Sequence, residues 1–155
     1  MLHRAGKAAN RCRPVNSALG YERTVKLTSA QLEIRRPVWE ALSEMFLDTE
    51  LQEHDYKFIA KRVHESSLSP KEISVALWAE VFPALASNLQ SVAGEWSGFD
   101  SEWLVKRIQD RSPTRIGPRG VGLMSAGDVR QIIKASWLNV AIHLPEEFAI
   151  VADAT

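Results

Sequence analysis

Apolar side chains recur at three- and four-residue intervals in five stretches of this chain, the spacing that lines one side of an α-helix. The clearest is the last. Val129, Ile132, Ile133, Trp137, Val140, Ala141 and Leu144 repeat over four turns, from an N-cap at Ser125 with Asp128 three residues on, to about Leu144 before Pro145. A first helix is expected from Thr28 or Ser29, with Leu32, Val38, Leu42, Met45 and Phe46 on one side and Glu33, Arg36, Glu40 and Glu44 largely opposite. Pro37 lies inside this run, so the helix either kinks there or a second helix starts there and runs to about Leu47. Residues Glu53 to Glu65 form the next, with Tyr56, Phe58, Ile59 and Val63 as the apolar face. Ser69-Pro70-Lys71-Glu72 then sets serine, proline and glutamate at the N-cap, N1 and N3 positions of a third helix. Its stripe is Ile73, Leu77, Trp78 and Val81, and Pro83 bends or ends it.

Residues 87–99 read as a connector, with Trp96 between Gly94 and Gly98 in a tight turn folded back onto the core. Asp100 caps a further helix carrying Trp103, Leu104, Val105 and Ile108. Residues 112–124 are a Pro/Gly-rich loop, and residues 1–22 have no apolar period and read as a disordered basic arm. The best strand candidate, Phe148 to Val151, is too short and isolated to seed a sheet. The expected fold is mainly α: a compact single-domain bundle of five to six helices with no significant sheet. Residues 23–111 would form the helical core, and residues 125–155 a C-terminal helix and tail packed on it.

Composition narrows the function classes. Five tryptophans in 155 residues supply a large apolar interior. One cysteine, Cys12, excludes an internal disulfide and a cysteine-based zinc site, which fits a cytoplasmic setting. No run approaches the ~20 apolar residues of a membrane span. The zero net charge hides an uneven layout: residues 35–102 hold six basic and twelve acidic groups, whereas residues 106–119 hold five basic and one acidic.

Among chemistry-bearing residues, the four histidines lack the HExxH spacing of a zincin, and no nucleophile elbow, Walker loop or dinucleotide fingerprint occurs. No catalytic residue, metal ligand or cofactor is assigned. A carboxylate series stands out instead. Glu40, Glu44 and Asp48 lie four apart and would line one helical face, followed at once by Glu50, Glu53 and Asp55. Such a run is either a solvated face or a docking surface for a basic protein.

The strings Arg35-Arg36-Pro37-Val38-Trp39-Glu40-Ala41-Leu42-Ser43, Phe46-Leu47-Asp48-Thr49-Glu50-Leu51 and Ser91-Val92-Ala93-Gly94-Glu95-Trp96-Ser97-Gly98-Phe99-Asp100 with Trp103-Leu104 resemble a bacterial family of small uncharacterised helical domains. The resemblance covers residues 27–108 and leaves the tail from Ser112 outside. It carries no activity. It implies a compact helical domain, core positions at Trp39, Trp96 and Trp103, and a shared polar surface at Arg35, Arg36, Asp48 and Glu50.

The leading expectation is a non-enzymatic protein–protein interaction module, of the immunity or antitoxin-like kind, using an acidic face against a basic partner. Its surface residues would be Arg35, Arg36, Glu40, Glu44, Asp48, Glu50, Glu53 and Asp55. The alternatives are a small metal-dependent hydrolase around His54, Asp55 and His64, and a nucleic-acid-associated regulator acting through the basic arm. The last is disfavoured by the acidic body, which repels phosphate.

Overall fold

The computed structural model describes residues 27–91, 94–95, 97–110 and 124–153. The arm over residues 1–22, nearly all of the 112–124 loop and Trp96 lie outside the described residues. Local bonds of three-residue reach start five of the helices. α1 (Ser29–Ser43) begins where the Thr28 N–H donates to Gln31 Oε1 at 2.9 Å and the Gln31 N–H donates to Thr28 Oγ1 at 3.3 Å. At the head of α2 (Glu53–Glu65) the Gln52 N–H donates to Asp55 at 2.7 Å. α3 (Pro70–Val75) opens on the expected box: Ser69 N–H donates to Glu72 at 2.9 Å and Glu72 N–H to the serine hydroxyl at 3.3 Å. These bonds, first that of the Ser69 backbone and then that of its hydroxyl, hold the Glu72 carboxyl below the ordinary value of 4.5. Asp100 accepts from the Trp103 N–H at 2.8 Å to start α5 (Ser101–Gln109). Ser125 and Asp128 exchange bonds of 3.1 and 2.8 Å at the start of α6 (Ala126–Ala141).

Both internal prolines are accommodated without ending their helices. α1 runs unbroken through Pro37, whose ring faces solvent while Val38, Trp39 and Leu42 beyond it are fully buried. It ends in a 3₁₀ turn, Glu44–Phe46. After α3 the chain widens into a π-helical segment, Ala76–Val81, before α4 (Phe82–Gln90). Pro83 follows that segment, and the Phe82 N–H reaches back five residues to the Leu77 carbonyl. An α-helical turn would press the proline ring on the carbonyl four residues earlier; the wider turn relieves this. The third helix thus continues past Pro83, and residues 87–90, expected in a connector, belong to α4.

The protein is an all-α domain, with six helices and no strand among the described residues. α1 packs on α2, on the π segment and on α5, while α6 packs on α2 and α4. One interior joins them, with Trp39, Leu42, Ile59, Leu77, Leu104, Ile133 and Trp137 fully enclosed. Three residues expected on buried faces lie outside it, Ile132 of the last helix among them. Phe58 and Trp103 are each 46% exposed. Phe58 is one residue, about 100° of helix, from the buried Ile59 and falls at the edge of the stripe. Trp103 sits outward beside the buried Leu104, stacked on Phe99 at 5.8 Å.

α6 stops at Ala141 rather than Leu144, and a 3₁₀ segment, Glu146–Asp153, occupies the stretch considered for a strand. Two tryptophans fasten it. Trp78 Nε1–H donates to the Val151 carbonyl at 2.6 Å, and Trp137 Nε1–H to the Phe148 carbonyl at 3.0 Å. Both indoles thereby bury their rings with the N–H satisfied.

The third enclosed tryptophan binds an ion pair. Trp39 Nε1–H donates to Glu80 at 2.7 Å, and Arg35 Nη1 lies 2.9 Å from both oxygens of the same carboxylate. Arg35 and Glu80 side chains are only 16% and 11% exposed, so this π-segment acid ties the helix before and after Pro37 to the third helical run. Glu80→Ala strands the Arg35 charge and the indole donor. It is expected to cost about 3 kcal/mol in urea unfolding, with Glu80→Gln, which keeps an acceptor for Trp39, costing less.

Candidate functional site: an acid-edged cleft

The residues that leave α1 are held by an amide side chain from α4. Asn88 Nδ2 donates to the Phe46 carbonyl at 2.9 Å and to the Glu95 carbonyl at 3.0 Å, while its Oδ1 accepts the Glu95 N–H at 2.8 Å. The Glu95 carbonyl also accepts the Asp48 N–H at 2.9 Å. One side chain thus joins the end of α4, the bend after the 3₁₀ turn and the connector around Glu95. The approach is close enough to require a glycine. A Cβ on Gly94 would lie 2.6 Å from the Asn88 carbonyl oxygen and 3.2 Å from the Asp48 Cβ.

This arrangement sets Asp48, Thr49 and Glu50 on the edge of an open cleft of about 450 Å³. Its interior is mixed: buried Met45 and Leu47, half-buried Leu51, Tyr56, Leu89 and Met124, and Ile132 supply the apolar part, and Ser136 adds a polar side chain. The acids of this site were legible in the sequence; the apolar half was not. Leu89 comes from α4 and Ile132 and Ser136 from α6, and Ile132, expected in the core, is 39% exposed. The only local sign was the pair Leu47 and Leu51 flanking the acids.

The eight expected surface residues separate into several roles. Arg35 is held by Glu80, as above. Arg36 Nε donates to Ser101 Oγ at 2.8 Å and lies 3.2 Å from Glu40, and the Ser101 hydroxyl also donates to Glu40, so this trio pins α1 to the start of α5. Glu44 is half-buried; burial first, then the nearby Asp55 charge, push its carboxyl above the ordinary value of 4.5. Glu53 pairs with Lys57 at 3.3 Å and reaches His143 at 3.2 Å. Asp55 caps α2 and lies 3.1 Å from His54. Asp48 and Glu50 are exposed and make no side-chain ion pair among the described residues. The expectation that Glu40, Glu44 and Asp48 share one helical face is overturned, because α1 ends at Ser43 and Asp48 lies in the bend beyond the 3₁₀ turn.

His54 is 81% exposed in its side chain and His64 is exposed on the same helix, ten residues away. No group of three or more histidine, cysteine or carboxylate side chains that could hold a metal comes together among the described residues. The basic arm and most of the 106–119 cluster, on which nucleic-acid binding would rest, lie outside those residues. No helix among them is long and apolar enough to cross a membrane.

Fold and cleft together define an all-α domain with an open, partly apolar groove whose edge carries carboxylates that make no ion pair among the described residues. The chain belongs to the DUF7079 family, a domain of unknown function, whose model matches residues 33–143. The match runs through α6, beyond the reach of the resemblance over residues 27–108. No curated protein and no solved structure matches the chain.

Two stability measurements probe this region. Gly94→Ala forces a methyl group against the Asn88 carbonyl and is expected to cost about 1–3 kcal/mol in chemical denaturation; an unchanged midpoint would refute the close approach. For Glu44, a folded-state value above the ordinary one means that ionisation opposes folding. The penalty is present near neutral pH and is relieved as pH falls through the raised value toward 4.5. Glu44→Gln should therefore stabilise the protein at neutral pH by no more than about 1 kcal/mol, given its partial exposure. The gain should vanish below pH 4.5.

Proposed function

We propose that this protein is a non-enzymatic interaction module, of the immunity or antitoxin-like kind, that docks a basic protein partner on the edge formed by Asp48 and Glu50. The observation that carries the reading is that these two carboxylates are exposed, lack internal ion pairs among the described residues, and sit on a bend whose backbone is tied down through Asn88 and Glu95. Fixed charges of one sign accelerate encounter with a complementary surface and reject partners of like charge. A preformed bend also avoids the ordering cost that a loose loop would incur on binding. Of the eight residues, Asp48 and Glu50 are the partner-facing pair, with Glu44, Glu53 and Asp55 adding to the local negative field. Arg35, Arg36 and Glu40 hold the scaffold. The partner surface this charge suits is one rich in lysine and arginine, such as that of a protein that itself binds nucleic acid. A bacterial cytoplasm is the setting that fits the single Cys12.

Affinity purification from the native host, wild type against the Asp48→Lys/Glu50→Lys pair, tests the reading. A partner with a basic surface should be retained by the wild type and lost on charge reversal, and its on-rate should fall at least tenfold between low and high salt. Recovery of the wild type only as a free species, or a partner indifferent to the reversal, would contradict it.

A further inference from the structure

We infer that the cleft behind Asp48 and Glu50 receives one apolar side chain of the partner, borne on a segment with lysine or arginine on either side of it. This rests on the docking reading above and adds the chemistry of the recognised segment. The argument joins two features that lie side by side. The cavity of about 450 Å³ is open to solvent, and Met45, Leu47, Leu51, Tyr56, Leu89 and Ile132 form its apolar part beside the polar Thr49 and Ser136. Its volume falls within the range of small-ligand sites and leaves ample room for one aliphatic side chain. Methionines at Met45 and Met124 adapt to varied apolar shapes, because the thioether chain is unbranched and polarisable.

The second feature is the pair of exposed carboxylates on the same edge, Asp48 and Glu50. Exposed ion pairs by themselves contribute little to affinity, because water and salt screen them. Their role in a complex is to orient and to speed association, whereas burial of an apolar group supplies the lifetime. A purely basic segment would leave the apolar lining wet. A purely apolar one would leave both carboxylates without counter-charge. The segment that satisfies both has an aliphatic residue such as leucine at its centre and cationic residues next to it, within reach of the edge. Burying that one aliphatic side chain corresponds to about a 10- to 100-fold gain in affinity over the same charges without it.

The full chain, carrying labelled methionine and isoleucine methyl groups, is titrated by NMR with two synthetic peptides: Arg-Lys-Leu-Lys-Arg, and the same sequence with serine in place of leucine. The leucine peptide should shift the methyl resonances of Met45, Met124 and Ile132 and bind at least tenfold tighter than the serine peptide. Ile132→Ser should abolish that difference and leave the serine peptide unaffected. Equal binding of both peptides, with shifts confined to the Asp48 and Glu50 amides, overturns the anchored segment while leaving the acidic docking edge intact. No binding of either peptide at millimolar concentration overturns both. Methyl shifts that depend on protein concentration without peptide assign the cleft to a second copy of the chain, and overturn the inference as well.

Discussion

The carboxamide of Asn88 satisfies three backbone groups of a chain that would otherwise have no regular structure to pair them. It stands two residues from the end of α4, bonded to the carbonyl of Phe46 and to both the N–H and the carbonyl of Glu95. Helices pair their own backbone, but the bend after α1 and the connector before α5 cannot, and an unpaired polar group shielded from water is costly. Through the Glu95 carbonyl the constraint passes to the Asp48 N–H. The proposed docking edge depends on that transfer. A loosely held bend would let Asp48 and Glu50 sample many positions; a fixed one presents them at one edge of an apolar cleft.

The same logic explains why segments distant in the sequence belong together. The Arg36–Glu40–Ser101 trio joins α1 to α5, and the Asp48–Glu95 bond joins the bend to the connector a few residues earlier. Arg35 and Trp39, from the same stretch of α1, converge on Glu80. Polar residues of the sequence strings that resemble a helical-domain family therefore act largely as ties between helices. Asp48 and Glu50 are left over from these ties and face the solvent, which is why the proposed docking edge rests on two residues rather than eight.

Five helix starts rest on bonds spanning three residues, a local signal that the sequence carries, as at Ser69 with Glu72 and Ser125 with Asp128. The all-α class followed from the same local signals. Features set by tertiary context were not readable. A four-residue spacing from Glu44 to Asp48 implies a shared face only if the helix continues, and it ends at Ser43. Pro83 signals a disturbance, yet nothing near it shows that a π turn would absorb the ring and carry the helix on to Gln90. Periodicity identified the stripes of α2 and α5 but not their covered width, so Phe58 and Trp103 were placed inside. The acids of the candidate site could be found by counting, whereas its apolar lining draws on three parts of the chain that meet only on folding.

Native-state hydrogen exchange at the amides of Asp48 and Glu95 tests the central constraint most directly. Both donate to fixed acceptors, the Glu95 carbonyl and the Asn88 side chain, and both lie outside any helix. Both should exchange well below the unstructured-chain rate, and Asn88→Ala should release both while amides in the middle of α1 and α6 stay protected. Free exchange of the Asp48 amide in the unaltered protein would contradict it, because the acidic edge would then have no fixed position from which to select a partner.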